Sequence, residues 1–202
     1  MTNRKSAWLA LFTLFILFFH TDVVFSEDIK SREEGKKYLS GVEILTGNGF
    51  GSLRSDQNYL LYPLFINFNF DLKNSIGRKF NKYPGLLQFA LEPFYSYVWS
   101  PDANMELGNN FVIKAGILPQ GMKFQPYLKL SAGLIYITQN TREQSTHFNF
   151  NEYAGVGAHY FFKKGVAFTL EYRYRHISNA GIKQPNTGIN TNFNICGMSF
   201  LF

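Results

Sequence analysis

Apolar and polar residues alternate one by one along several stretches of the chain. In "LLYPLFINFNFD" (60–71) the even-numbered positions are apolar, and Asn67 and Asn69 separate the last of them. The stretches 86–99, 124–136 and 166–174 alternate in the same way. Because successive side chains leave a β-strand on opposite faces, this pattern predicts strands rather than helices. Eight strands are predicted, beginning near Tyr38, Tyr59, Leu86, Met105, Phe124, His147, Val166 and Asn190.

The charged residues of these strands share one face, whereas the other face is almost entirely aromatic or aliphatic. The charged positions are Glu43, Glu92, Lys114, Lys129, Glu171 and Arg173. A transmembrane barrel turns its apolar face outward to lipid, and eight strands enclose an interior that side chains just fill. We therefore predict an all-β fold, an eight-stranded antiparallel transmembrane β-barrel with a polar, filled interior. The alternative is a soluble, periplasmic, lipocalin-like barrel, which would have to bury these charges around its ligand.

The N-terminal segment has the pattern of a secretory signal peptide. Arg4 and Lys5 precede an apolar run over residues 7–19, and small residues precede Glu27. This order predicts a signal peptide over residues 1–26 and a barrel domain over residues 27–202. The alternative, a membrane-spanning anchor, needs about 20 apolar residues, which is more than this run contains.

The last residues indicate insertion into an outer membrane. Reading back from Phe202 in steps of two gives Phe200, Met198 and Cys196, an apolar row that ends in an aromatic residue. This row resembles the C-terminal strand that is recognised when bacterial outer-membrane barrels are inserted. We therefore expect the barrel-assembly machinery as a partner through Phe202, and the outer membrane of a Gram-negative bacterium as the location.

Charge and composition narrow the range of partners. Without residues 1–26 the chain carries 18 basic and 13 acidic residues, a net charge of +5. This charge suits a phosphate-bearing surface. No nucleic-acid partner is expected, because export separates the protein from nucleic acid and no Lys/Arg cluster stands out. His147 and His159 have no ligand-like partners at useful spacing, so neither a metal nor another cofactor is expected.

Two polar residues interrupt the outward apolar row of the seventh predicted strand. Tyr172 and Tyr174 are followed on the same face by His176 and Ser178. Polar groups on a lipid-facing surface are costly unless they lie near the interface or have a function. An imidazole and a hydroxyl facing lipid headgroups could cleave an ester, with the imidazole as base and the hydroxyl as nucleophile. The alternative is a pair of ordinary interfacial surface residues, because this spacing is common by chance.

The segment "HISNAGIKQPNTGIN" (176–190) resembles the active-site segment of the outer-membrane lipid A 3-O-deacylases, the PagL-type family. The resemblance continues more faintly through residues 125–136 and 148–160 to Phe202. It implies an eight-stranded barrel that hydrolyses the ester-linked 3-hydroxyacyl chain at position 3 of lipid A. Lipopolysaccharide in the outer membrane is then the expected partner.

The same resemblance implies roles for individual residues. Ser178 matches the family nucleophile, His176 its general base, and Asn186 the asparagine that supports the oxyanion site. Backbone N–H donors for the oxyanion are expected at Asn179, Ala180 and Gly181. Such donors stabilise the charge that develops on the carbonyl oxygen during attack. Gly181 and Gly188 are interpreted as turn glycines.

Asn190 departs from the family pattern, which has a glutamate at this place to orient the histidine. An amide oxygen can accept a hydrogen bond from the imidazole, but it cannot stabilise the imidazolium with a negative charge. In a serine protease, exchanging the corresponding carboxylate for an amide costs about 10⁴ in rate. This departure supports an alternative function, a non-catalytic outer-membrane barrel with a lapsed site that serves adhesion or envelope structure.

Glu152 is a second candidate for orienting His176. If Phe162 lies opposite Val166 in a hairpin, Glu152 lies opposite His176 and faces outward. Directly opposed side chains in a sheet have Cβ atoms about 5 Å apart, so the carboxylate would reach the imidazole. A register slip of one residue would move Glu152 to the other face. The alternative is a solvated glutamate close to the loop.

Overall fold

A computed structural model describes residues 39–54, 56–73, 82–139 and 141–202. These residues form eight strands: β1 (Leu39–Ser52), β2 (Asn58–Asp71), β3 (Gly85–Ser100), β4 (Asn104–Pro119), β5 (Phe124–Ile137), β6 (Phe148–Lys163), β7 (Val166–Ser178) and β8 (Ile189–Leu201). Each strand pairs antiparallel with its neighbours in sequence, and β8 pairs with β1 to close the barrel. The predicted fold class is confirmed. The predicted signal peptide, residues 1–26, lies outside the described residues.

The wall of the barrel has the inverted polarity of a membrane protein. Outward side chains such as Phe111, Leu128 and Leu130 are more than half exposed, whereas the inward Glu92 and Lys114 are fully buried. An apolar exterior and a polar interior are what a lipid environment requires of a closed sheet, because lipid offers no hydrogen bonds. Among the described residues, no helix is long and apolar enough to cross a membrane.

The charges inside the barrel pair with one another. Lys114 Nζ lies 2.5 Å from Glu43 Oε1, and Arg175 NH1 lies 2.7 Å from Glu106 Oε2. A larger cluster combines two carboxylates and two cations, namely Glu92, Glu171, Lys129 and Arg173. Each of these three groups is neutral overall, as burial in a low-dielectric interior demands.

Besides its buried charges, the interior also contains apolar side chains. Inward apolar side chains form a buried cluster near one end of the barrel. Its members are Leu45, Leu53, Tyr59, Leu61, Phe65, Phe94, Val98, Ile135, Ile137, Ile177, Ile189, Phe193 and Ile195. Most of them lie near the β1–β2, β3–β4, β5–β6 and β7–β8 connections, so this end of the barrel is closed by apolar packing.

The two ends of the barrel differ in their connections. The end that holds the apolar cluster carries the β5–β6 loop (138–147) and the β7–β8 loop (179–188). The opposite end carries both chain termini of the barrel, the β4–β5 turn (120–123), the two-residue β6–β7 turn (164–165) and the longer β2–β3 connection. We call the first the loop end and the second the terminal end.

Candidate active site

His176 and Ser178 lie at the loop end, on the outward face of the last residues of β7. Asn190 lies at the start of β8 and is the direct cross-strand partner of His176. Between them, the inward Ile177 and Ile189 are paired and fully buried in the apolar cluster. The three polar side chains therefore stand on two strands whose opposite face is anchored by packing.

Asn190 holds one nitrogen of the imidazole. His176 Nδ1 and Asn190 Oδ1 are 2.7 Å apart, a hydrogen bond in which the amide oxygen accepts and Nδ1–H donates. This arrangement leaves Nε2 as the nitrogen that can take up a proton. In the described part of the chain, no hydrogen bond joins His176 to Ser178. Such bonds are often long in an empty site and shorten when substrate binds.

The β7–β8 loop is organised by two asparagine side chains. Asn179 Oδ1 accepts the Gly181 N–H at 3.0 Å, which forms an Asx turn over Ala180. Asn186 Oδ1 accepts the Asn179 N–H at 2.9 Å. Two of the three backbone N–H groups expected as oxyanion donors are thus engaged within the loop. The Ala180 N–H and the side-chain NH₂ of Asn186 have no hydrogen-bond partner among the described residues.

The β5–β6 loop supports the β7–β8 loop through contacts that the sequence gives no signal for. Gln144 Nε2 donates to the Ile177 carbonyl at 3.0 Å, and Gln144 also forms a β-bridge with Asn186. The Thr187 N–H donates to the Glu143 carbonyl at 3.0 Å. These contacts fix both ends of the segment that carries Asn186.

Glu152 has the position that the hairpin argument predicts, but it does not hydrogen-bond the imidazole. The strand register places Glu152 directly opposite His176, so the predicted pairing is confirmed. Within the described residues, no hydrogen bond or ion pair joins the two side chains, and Glu152 is exposed. The sequence argument used Phe162 as the partner of Val166, whereas Lys163 holds that place because the register shifts next to the turn.

Gly188 lies against the imidazole of His176. A Cβ built on Gly188 would stand 2.3 Å from His176 Cε1 and 3.0 Å from Nε2. Gly181, in the same loop, has an almost equal φ of +80° against +78°, yet a Cβ there would meet nothing within 4 Å. The turn conformation predicted for both glycines is observed. Only Gly188 also leaves the space that the catalytic candidate His176 occupies.

Within the described residues, no group of three or more His, Cys, Asp or Glu side chains is placed to hold a metal ion.

A comparison with known protein families matches residues 60–199, more than half of the chain, to the lipid A 3-O-deacylase (PagL) family. The chain belongs to the lipid A 3-O-deacylase (PagL) family. The match begins well before residue 125, where the resemblance visible in the sequence starts. The family acts on lipid A in the Gram-negative outer membrane, so this PagL-family chain is an outer-membrane protein.

Two solved structures support the fold of this PagL-family barrel. The crystal structure of the outer membrane enzyme PagL is 18% identical, with a TM-score of 0.59, and the match covers 79% of this chain and 99% of that one. The crystal structure of Neisserial surface protein A (NspA) is 14% identical, with a TM-score of 0.55, and the match covers 80% and 96%. No curated protein sequence matches the chain.

Proposed function

We propose that this protein hydrolyses the ester-linked 3-hydroxyacyl chain at position 3 of lipid A by a Ser178/His176 mechanism at the membrane interface. The observation that carries the proposal is the hydrogen bond from His176 to Asn190, which orients the imidazole beside Ser178 on the lipid-facing side of the loop end. The acyl esters of lipid A lie between its sugar headgroup and its acyl chains, which is the interface at which the proposed mechanism acts.

In the proposed first step, His176 Nε2 takes the proton of Ser178, and Oγ attacks the carbonyl carbon of the ester. The tetrahedral intermediate collapses by breaking the bond to the sugar oxygen, which receives the proton from His176. Water then attacks the acyl-serine with His176 again as base. The bond from the acyl carbon to Ser178 Oγ breaks, Oγ receives the proton from His176, and the product is a free 3-hydroxy fatty acid. This is the two-stage chemistry of serine hydrolases.

The oxyanion that forms in both steps is assigned to the Asn186 NH₂ and the Ala180 N–H. Because Asn186 Oδ1 is fixed by the Asn179 N–H, the amide nitrogen of Asn186 points away from that contact and is free to donate. Removing one oxyanion donor from a serine hydrolase typically costs about 10²–10³ in rate. The roles of Asn179 and Gly181 are then to shape the loop rather than to bind the substrate.

The test of this function is mass spectrometry of lipopolysaccharide after incubation with the folded protein. We expect lipid A to lose the mass of one 3-hydroxyacyl chain and the free 3-hydroxy fatty acid to appear. Fragment ions are expected to assign the loss to position 3. Heat-unfolded protein and the Ser178→Ala variant serve as controls. Intact lipid A after incubation with correctly folded protein would support the second candidate, a non-catalytic barrel, which Asn190 favours.

Asn190→Glu is expected to raise the deacylation rate by at least about tenfold, because a carboxylate stabilises the imidazolium that an amide only orients. Asn190→Ala is expected to lower the rate, and Glu152→Gln to leave it unchanged. The rates are measured by release of 3-hydroxy fatty acid from lipid A in mixed micelles. A large loss in Glu152→Gln together with an unaffected Asn190→Ala would assign the orienting role to Glu152 instead.

Gly188→Ala is expected to lower kcat about 10²-fold, because displacement of a catalytic group by about 1 Å costs that much. Gly181→Ala is the matched control, since it imposes the same positive φ on alanine without reaching the imidazole. We expect the control to retain nearly full activity and both variants to remain folded. Equal losses in the two variants would show that loop strain, rather than contact with His176, is responsible.

We also propose that Phe202 is recognised by the barrel-assembly machinery. Its side chain is exposed at the end of the outward row of β8, and its N–H extends the pairing of β8 with β1 by donating to the Ser40 carbonyl at 2.9 Å. Unchanged yield of folded barrel in the outer membrane after deletion of Phe202 would contradict this role.

A further inference from the structure

A basic pocket lies at the terminal end, opposite the candidate active site. An open pocket of about 390 Å³ lies between the β4–β5 and β6–β7 turns, and Lys123, Lys163 and Lys164 contribute to its lining. The Phe161 N–H donates to the Lys123 carbonyl at 2.7 Å, so that the β4–β5 turn is held against the last residues of β6. The pocket is thus formed by segments whose relative position is set by the barrel wall.

The lining of this pocket combines cationic and apolar groups without any carboxylate. The three lysines are exposed at the rim. Next to them, Met122 and Phe162 are 47% and 60% exposed. Ammonium groups beside exposed apolar side chains match an amphiphile whose anionic headgroup lies at the interface and whose chains lie along the wall.

The distribution of charge separates the two ends of the barrel. At the loop end, the connections between strands carry equal numbers of cations and carboxylates among the described residues: Arg54, Arg142 and Lys183 against Asp56, Asp102 and Glu143. At the terminal end, the described charged groups are Lys73, Lys82, Lys123, Lys163 and Lys164 against Asp71 and the C-terminal carboxylate. The excess of positive charge therefore lies on the side opposite the site.

We propose that the basic pocket binds the headgroup of an anionic glycerophospholipid of the periplasmic leaflet. Short turns of bacterial barrels face the periplasm, and the pocket is built from two such turns. This orientation also rests on the proposed function, which requires the loop end in the lipopolysaccharide leaflet. The lysines hold the phosphate, while Met122 and Phe162 contact the first methylenes of the acyl chains.

The test is a titration of the folded protein in neutral-detergent micelles with phosphatidylglycerol, read by native mass spectrometry as retained lipid. Wild type is compared with Lys123→Gln/Lys163→Gln/Lys164→Gln and with the matched control Arg54→Gln/Arg142→Gln/Lys183→Gln, which removes the same charge at the loop end. The first triple variant is expected to bind phosphatidylglycerol at least about tenfold more weakly. Each lysine near an anionic headgroup adds a similar share of the electrostatic attraction, and this variant removes three of them. The control is expected to bind as wild type does.

Equal weakening in both triple variants, or in neither, would overturn the proposal. Displacement of the lipid by an equal concentration of glycerol 3-phosphate would also overturn it, because the pocket would then be a plain phosphate site. Tighter retention of lipopolysaccharide through the same lysines would reassign the ligand and contradict it as well. The readout is independent of deacylation, so a protein that binds phosphatidylglycerol but leaves lipid A intact would contradict the proposed function alone.

Discussion

Replacing Ser178 with alanine is expected to reduce deacylation of lipid A by about 10³-fold or more. In serine hydrolases the loss of the nucleophile removes the covalent route, and only binding and oxyanion stabilisation remain. Ser178 lies at the end of β7 with its backbone in the sheet, where its strand partner is Phe150. The substitution removes one oxygen atom and leaves the strand pairing intact. The measurement is the initial rate of 3-hydroxy fatty acid release at saturating lipid A.

Ser100→Ala is the matched control for this experiment. Ser100 ends β3 at the same end of the barrel, and its hydroxyl donates to the Asn58 carbonyl at 2.9 Å, outside the site. Its rate is expected to stay within about twofold of wild type, because replacements away from a site have small effects. Full activity in Ser178→Ala would exclude Ser178 as nucleophile, whereas full loss in Ser100→Ala would reveal a defect in folding.

Arg173→Met is expected to destabilise the barrel by about 3–5 kcal/mol, the usual cost of removing one partner from a buried ion pair. The guanidinium donates to both oxygens of Glu92 at 3.0 Å and, through Nε, to Glu171 at 2.6 Å. Without it, the ammonium of Lys129 would be the one cation left in this cluster for two buried carboxylates, and the cluster would carry an unbalanced negative charge. The free energy of unfolding is measured by urea titration in detergent micelles.

Arg142→Met removes the same charge from an exposed position in the β5–β6 loop. It is expected to change the free energy of unfolding by no more than about 0.5 kcal/mol. If both variants unfold at the same urea concentration as wild type, the Arg173 ion pairs do not stabilise the barrel. A loss confined to Arg173→Met would show that the barrel depends on the neutrality of its buried charges.

Strand alternation is a local property, and the sequence by itself therefore determined the barrel. All eight strands begin within one residue of their predicted positions. Successive side chains point to opposite faces of a strand, so the alternation of apolar and polar residues marks where each strand runs. The hairpin across Lys164 and Gly165 is equally local, and the count across it places Glu152 opposite His176, although the register shifts by one residue next to the turn. The segment 176–190 also contains the polar residues of the site within one strand end, one loop and one strand start.

Only the tertiary structure decided how these residues act together. Asn190 rather than Glu152 hydrogen-bonds the imidazole. Both residues lie opposite His176 on neighbouring strands, so strand register does not choose between them and side-chain geometry does. The contact of Gly188 with His176 depends on how the loop folds back, and the support from Gln144 comes from a loop more than 30 residues away in sequence. The apolar closure beneath the site likewise arises where inward positions of several strands converge. Side-chain directions and contacts between distant segments follow from the closed barrel, and no single stretch of sequence contains them.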